Sequence, residues 1–248
     1  MKRLLLILTL AGNFTLCPAA TSINATNQYA HGADFGWINW RGDTNNGAVI
    51  GEFVCSGYIY AANCGWIHLG DGTPANRIHY QNTSAVDFGV NHDGMGNLRG
   101  YAWAANIGWI NFEKSGAPAV DLKTGNLTGA AYSANCGWIS LSNAFARVQT
   151  DTIPAGFDND GDGIPDPWEL SYTNSVAIFG ATSDTDGDGV LDKNEYLADT
   201  SPTNPNDHLR ILSITRGTST PTYTTLLWTS KPTRCYAVQD PGLTHIRI

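Results

Sequence analysis

The chain has 248 residues, of which 42% are hydrophobic and 15% charged, so it holds enough apolar material for folded domains and lacks the composition of general disorder. At this length more than one structural unit is expected. The net charge of −8 is uneven, because residues 151–207 hold 13 acidic side chains and one lysine. A segment that acidic repels nucleic acid and anionic membranes and favours a bound cation.

The N-terminus has the plan of a secretory signal. Two basic residues precede an apolar run over 4–10, and small residues end at Ala20, which predicts a signal peptide over 1–20 and a secreted or cell-surface protein. The apolar run is far shorter than the about 18 residues that a membrane span needs, so no membrane span is expected. Lipid attachment at Cys17 is the alternative, and the bulky Leu16 before it disfavours that alternative.

The triplet Gly-Trp-Ile recurs four times, at 36–38, 65–67, 108–110 and 137–139. The spacings of 29, 43 and 29 residues indicate that a unit of 72 residues has been duplicated, and the additional residues of the middle spacing are expected in an exposed loop. Around the triplets, side chains alternate with the two-residue period of a strand. The pattern predicts a four-copy aromatic β-repeat domain over 21–149, with about three short antiparallel strands in each copy.

The cysteines bear on how the copies are arranged. Cys64 and Cys136 hold the same place in copies two and four. In an open solenoid they would lie roughly 9–10 Å apart, beyond the limit of about 7 Å between the Cα atoms of a disulfide, whereas they could meet if the duplicated units faced each other. We therefore expect Cys64 and Cys136 to be either bonded to each other or both buried and free. Cys55 is not expected to bond to Cys64, and the state of Cys235 stays open.

Aromatic side chains recur at equivalent places of the repeats. Such recurrence is what a repeated core requires, and core is the favoured interpretation; exposed aromatics would instead suit the flat faces of sugars. The two interpretations differ in the solvent exposure of the face that carries Tyr101 and Trp103. The recurrent aromatics are Trp37, Trp40, Tyr58, Tyr60, Trp66, Tyr101, Trp103, Trp109, Tyr132 and Trp138.

Two twelve-residue windows in the acidic segment, 158–169 and 184–195, fit an EF-hand-type loop. Ca²⁺ takes six to eight oxygen ligands, and such a loop supplies them from positions 1, 3, 5, 7, 9 and 12, with glycine at position 6 for the turn. Mg²⁺ fits this set of oxygen ligands less well, because it prefers a smaller octahedral shell that keeps several waters. Neither window contains Cys or His, which disfavours zinc. The predicted ligands are Asp158, Asp160, Asp162, the Ile164 carbonyl, Asp166 and Glu169 in loop one, and Asp184, Asp186, Asp188, the Val190 carbonyl, Asp192 and Glu195 in loop two.

The segments beside the loops indicate their role. Residues 153–157, upstream of loop one, contain Pro154 and Gly156 and are not expected to form a helix. Short helices are expected over 168–172 and 193–198. A loop without an entering helix has little to open when the ion binds, which predicts structural sites rather than sensors.

These residues also carry a resemblance. From Phe157 to about Gln239 the chain resembles the thrombospondin type 3-like and dockerin-like calcium segments of bacterial secreted proteins, in its two D-x-D-x-D-G loops and in the run from Glu195 to Pro205. The resemblance implies a calcium-binding segment over 150–207, followed by an incomplete fibronectin- or immunoglobulin-like β segment over 208–248. The Gly-Trp-Ile copies look like the aromatic tandem repeats of bacterial surface proteins.

Together these patterns predict a mainly β protein with a tandem antiparallel β-repeat domain, a connector of calcium loops and short helices, and a partial β-sandwich at the C-terminus. The expected function is a secreted, calcium-binding structural or adhesive surface protein, with calcium, extracellular glycans or surface proteins as partners; a carbohydrate-binding module is the alternative. No enzyme is expected, because the common catalytic motifs are absent from the sequence. The scattered histidines, among them His92, are interpreted as surface or turn residues.

Overall fold

The computed structural model describes residues 21–43, 45–216, 224–234, 236–240 and 243–247. The predicted signal peptide and Cys235 lie outside these residues. Strands predominate, which confirms the predicted mainly β class, and two short α-helices and one 3₁₀ turn (Lys114–Gly116) accompany them. The helices are α1 (Asp166–Tyr172) and α2 (Asp192–Ala198). None of the described residues belongs to a helix long and apolar enough to cross a membrane.

The strands follow the repeats along the chain. They are β1 (Ile23–Gly32), β2 (Gly36–Asn39), β3 (Val49–Ile50), β4 (Cys55–Ser56), β5 (Tyr58–Ala61), β6 (Gly65–His68), β7 (Val90–His92), β8 (Leu98–Ala104), β9 (Gly108–Asn111), β10 (Ala119–Val120), β11 (Leu127–Thr128), β12 (Ala130–Ser133), β13 (Gly137–Ser140), β14 (Arg147–Thr150), β15 (Ile211–Arg216), β16 (Thr224–Trp228), β17 (Ala237–Asp240) and β18 (Leu243–Arg247).

Each Gly-Trp-Ile triplet opens the second strand of an antiparallel hairpin. The hairpins are β1–β2, β5–β6, β8–β9 and β12–β13. The triplet glycine has a positive φ in all four, for example 70° at Gly36 and 81° at Gly65, a conformation that glycine adopts without a steric penalty. The glycine therefore lets the chain leave the turn and enter the second strand.

The four hairpins close into an eight-stranded barrel. Neighbouring hairpins pair through β2–β5, β6–β8 and β9–β12, and β13 returns to β1 with His31 opposite Ser140. The open solenoid is therefore excluded, and the duplicated units face each other around the barrel. Of the three strands expected in each copy, two enter the barrel, while the short strands β3, β7 and β10 pair with β4, β8 and β11.

Apolar side chains from every hairpin fill the interior. The isoleucine of each triplet is buried, as is a large residue two positions later, because alternate residues of a strand face the same side. Full burial of each such side chain contributes about 1.5–3 kcal/mol. The two sets are Ile38, Ile67, Ile110 and Ile139, and Trp40, Leu69, Phe112 and Leu141.

The residue that precedes each triplet lies in the hairpin turn and packs at one end of the same core. These residues are Phe35, Cys64, Ile107 and Cys136. Cys64 and Cys136 belong to opposite hairpins of the barrel and are free thiols in the structure, Cys64 buried and Cys136 half-buried. Burial, and secondarily the nearby Cys136, raises the pKa of the Cys64 thiol. The structure therefore agrees with the expectation that Cys64 and Cys136 are both free, except that Cys136 is half-buried where burial was expected.

His92 is not a surface residue, contrary to the sequence interpretation. Its ring is buried, lies 2.8 Å through Nδ1 from the Gly51 carbonyl oxygen, and accepts a hydrogen bond at Nε2 from the Gly96 backbone N–H at 3.1 Å. Donation at one nitrogen and acceptance at the other require the neutral ring. Burial lowers the pKa of His92 accordingly.

The acidic segment packs against loop residues of the repeat domain. Ile164, Trp168, Phe179 and Tyr196 form a second, smaller core, and Phe53 of the repeat domain packs against it. Beyond this core, β15–β16 and β17–β18 form two separate two-stranded sheets. The described residues after 208 thus form strands as expected, and their packing into a sandwich stays a prediction.

Candidate calcium sites and the aromatic barrel surface

Both predicted metal loops are followed directly by a helix and neither is entered from one. Residues 153–157 are irregular, α1 begins at position 9 of loop one, and α2 begins at position 9 of loop two. The absence of an entering helix and the presence of two short exiting helices agree with the sequence interpretation. Each unit is therefore a loop held at one end by a helix of seven residues.

The first aspartate of each loop folds the backbone around itself. Asp158 accepts hydrogen bonds from the backbone N–H groups of Gly161 and Gly163, at 2.8 and 2.9 Å. Asp184 accepts the equivalent bonds from Gly187 and Gly189, both at 2.9 Å. The glycines have φ values between 75° and 92°, which they adopt without strain. The two loops thus share one backbone geometry.

This geometry brings the predicted carboxylates together. In loop one, oxygens of Asp160, Asp162 and Glu169 lie within 4.8 Å of one another, and so do oxygens of Asp158, Asp160 and Asp166. In loop two the carboxylates of residues 184, 186 and 188 form such a group. Oxygen atoms at this spacing can share one hard cation.

The glutamate at position 12 is the most unusual group of each loop. Glu169 and Glu195 are fully buried, and neither oxygen of Glu169 has a hydrogen-bond partner among the described residues. Burial, followed by repulsion from neighbouring aspartates, raises the pKa of each glutamate to about 8. A buried carboxylate without a partner is costly, and a bound Ca²⁺ would remove that cost. The residues present therefore fit the ion.

Further oxygens within the loops also lack partners. Oδ2 of Asp162, Oδ2 of Asp186 and Oε2 of Glu195 are buried without a hydrogen bond among the described residues. Each of them stands at a predicted ligand position. Position 7 is occupied as expected by Ile164, whose side chain is buried, and by Val190, which is half-buried; the backbone carbonyls at these places stay the predicted ligands.

The aspartates at position 9 hold the loops closed. Asp166 accepts a hydrogen bond from the backbone N–H of Asn159 at 2.9 Å and is paired with Arg77 of the repeat domain. Asp192 accepts bonds from the backbone N–H and hydroxyl of Thr185, at 2.9 and 2.8 Å. Because these oxygens are already engaged, both aspartates fit a role in which a water relays contact to the ion, as is common at this position.

Three basic side chains that the loop pattern does not contain also contact the loops. Besides Arg77, the Lys193 ammonium donates to the Asp162 carbonyl oxygen at 3.1 Å, and His208 Nδ1 lies 2.7 Å from Oδ2 of Asp188. Of these three residues only Lys193 belongs to a metal loop: it lies in loop two and contacts loop one. These contacts depend on the tertiary fold and carry no signal in the local sequence.

The recurrent aromatics mostly lie outside the barrel. The four triplet tryptophans are 43–50% exposed, Trp103 is 38% exposed and Tyr101 is half-buried. Only Trp40 of the ten is buried. The core interpretation is therefore wrong for the eight exposed members, and Tyr101 is intermediate. In each triplet the isoleucine occupies the interior position, so the neighbouring tryptophan faces outward.

Neither a model of a known protein family, nor a curated protein, nor a solved structure matches this chain. The two metal loops and the aromatic surface therefore carry the functional interpretation.

Proposed function

We propose that this chain is a secreted, calcium-binding structural or adhesive protein in which Ca²⁺ stiffens the connector between the barrel and the C-terminal strands. The observation that carries the proposal is the pair of fully buried glutamates, Glu169 and Glu195, at position 12 of loops that otherwise hold only oxygen ligands. Two such sites would also offset the self-repulsion of the acidic segment.

A calcium ion in loop two would act on both flanking domains through α2. Glu195 precedes Tyr196, whose hydroxyl lies 3.2 Å from the Glu52 carboxylate of the repeat domain. Glu52 is paired with Arg234 of the C-terminal region at 2.8 Å. Arg234 also donates to the Tyr196 carbonyl oxygen at 3.1 Å. Fixing Glu195 would therefore fix the residue at which barrel, connector and C-terminal strands meet.

Loop one has an equivalent link to the barrel. Asp166 pairs with Arg77, and Trp168 packs edge-to-face on Tyr196 with ring centroids 5.6 Å apart. The two loops are thus joined through one small apolar core as well as to the repeat domain. Ions in both loops would make the connector one stiff body.

Calorimetric titration of the calcium-free chain with CaCl₂ tests the proposal. We expect two sites in the unaltered chain, one in Glu169→Gln, one in Glu195→Gln and none in the double variant. Asp151→Asn is the matched control, because Asp151 is an exposed carboxylate of the same acidic segment outside both loops, and it should retain two sites. Two-site binding by the double variant would show that the loops are wrongly assigned.

The exposure of the recurrent aromatics favours glycan binding as a second function of the same protein. Exposed aromatic side chains that lie next to one another, such as Tyr60 and Trp66 with ring centroids 4.9 Å apart, are typical of interaction surfaces, and their flat faces suit the apolar faces of sugar rings. Retention of the calcium-loaded chain on immobilised polysaccharides tests this function separately from calcium binding.

A further inference from the structure

Two clefts on the barrel surface are each built around a tyrosine and a tryptophan at equivalent places of the duplicated unit. The first has a volume of about 370 Å³ and is lined by Tyr101, Trp109 and Phe88, with Asn82 and Ser84 beside them. Trp109 packs edge-to-face against Tyr101 at 6.2 Å and against Phe88 at 5.1 Å between ring centroids. The Phe88 ring is held in turn by His68.

The second cleft reproduces the first one 72 residues earlier in the repeat. It has a volume of about 330 Å³ and is lined by Tyr29, Trp37 and Phe145, with Asn143 and Arg147 beside them. Trp37 packs edge-to-face against Tyr29 at 6.0 Å and against Phe145 at 5.8 Å. Tyr29 and Trp37 are the duplicates of Tyr101 and Trp109, so the same aromatic pair has been reused.

The phenylalanines come from segments that are not equivalent in the repeat. Phe88 precedes β7, whereas Phe145 lies between β13 and β14, and each reaches an edge-to-face contact with its tryptophan at nearly the same angle, 81° and 79°. Trp66 and Trp138, the triplet tryptophans of copies two and four, contact tyrosines but no phenylalanine among the described residues. Two unrelated loops thus complete the same arrangement at copies one and three alone.

We infer that these two clefts are pyranose-binding sites, an inference that rests on the second function proposed above. Each offers a half-exposed tryptophan ring as an apolar surface for a sugar ring, and side-chain amide and hydroxyl groups for the sugar hydroxyls. Their volumes lie in the range of small-ligand sites. No charged side chain lines the first cleft among the described residues, whereas Arg147 lines the second. A neutral sugar is the ligand that both clefts can take, because an ion would lose its hydration in the first cleft without gaining a partner.

The barrel places the two sites on opposite sides. The first lies on β8 and β9 and the second on β1 and β2, and these pairs are diametrically opposed in the closed ring of eight strands. A short oligosaccharide cannot reach both. The protein therefore binds two glycan chains at once and bridges them, and the two sites should act independently.

The test is a calorimetric titration of the full calcium-loaded chain with neutral hexasaccharides of glucose, mannose, xylose, galactose and N-acetylglucosamine. We expect at least one of them to bind with two equivalents per chain. Trp109→Ala and Trp37→Ala should each leave one equivalent, with the altered cleft weakened at least about tenfold. Trp66→Ala and Trp138→Ala are matched controls of similar exposure and should keep two.

Other outcomes separate this inference from the functions proposed above. If all four tryptophan variants weakened sugar binding equally, the assignment of the binding sites to the two clefts would be wrong, and glycan binding would belong to the aromatic surface as a whole. If no hexasaccharide bound, both the clefts and the glycan function would be overturned. Calcium stoichiometry measured on the same samples reports on the metal loops independently, and thermal unfolding of each variant verifies that its barrel is folded.

Discussion

Replacing Glu169 by glutamine should have opposite consequences in the absence and presence of calcium. Without the ion, the pKa of Glu169 is raised to about 8, so at neutral pH the folded protein holds this side chain protonated, and glutamine has nearly the same shape and charge. At and below about pH 4.5, where the unfolded chain also holds this side chain protonated, the variant should therefore be as stable as the unaltered chain. Between about pH 4.5 and 8 only the unfolded chain ionises Glu169, so the unaltered chain loses stability as the pH rises. At pH 7 the variant should already be the more stable of the two, and above pH 8 the difference is complete.

The size of both effects follows from the site. A rise of the pKa from 4.5 to about 8 limits the cost of an ionised, unpaired Glu169 to at most about 5 kcal/mol. Extracellular calcium modules bind with Kd values of about 10⁻⁴–10⁻³ M. At a calcium concentration 100-fold above Kd, one site stabilises the bound state by about 2.7 kcal/mol. Glu169→Gln should lose that contribution from loop one.

Hydrogen exchange followed by mass spectrometry measures this loss locally. In the unaltered chain, saturating calcium should slow exchange of the α1 amides by up to about 100-fold, and in Glu169→Gln the slowing should vanish there while α2 keeps it. Asp151→Asn is the matched control and should respond like the unaltered chain. The reasoning is refuted if Glu169→Gln is markedly less stable than the unaltered chain without calcium, or if calcium still slows exchange in α1.

Three further predictions concern other parts of the molecule. Arg234→Ala should lower the free energy of unfolding by roughly 3 kcal/mol, because it leaves the largely buried Glu52 without its cation. Urea unfolding of Arg234→Ala, Glu52→Gln and the double variant should show that the double variant loses less stability than the two single variants lose together. The pKa of His92 is lowered in the folded chain, so its contribution to stability is complete above about pH 6.5 and is lost as the pH falls towards the folded pKa. His92→Gln should therefore flatten the pH dependence of the melting temperature below pH 6.5. An unchanged profile would contradict this. Peptide mapping without reduction should find Cys64 and Cys136 as free thiols, with Cys64 protected from iodoacetamide until the chain unfolds; a linked pair of peptides would contradict this.

The metal loops could be predicted from the sequence because their geometry is local. Twelve consecutive residues fix the turn glycines, the oxygen ligands and the start of the helix, so Asp160, Asp162 and Glu169 converge without help from the rest of the chain. The partners of the loops were not predictable in the same way. Arg77 lies 89 residues before Asp166, and no periodicity links them.

The repeats were also evident in the sequence, but their closure and their inner face were not. A strand of four residues such as β2 offers two faces, and Trp37 is as apolar as Ile38, so the alternation alone does not decide which one enters the core. Closure depends on the pairing of β13 with β1, which no local pattern specifies. The burial of His92 likewise depends on a contact with Gly51, which lies 41 residues away in the chain.

The closure of the barrel has a consequence for how the chain folds. Each hairpin joins strands that are adjacent in sequence, and such units form within about 1–10 μs. The seam between His31 and Ser140 instead joins residues that are more than a hundred positions apart, so its loop-closure entropy must be overcome before the barrel gains its last contacts. We therefore expect the hairpins to assemble in chain order and the seam to set the folding rate. Until β13 and β14 leave the ribosome, β1 has no partner on that side, and the nascent barrel keeps an open strand edge.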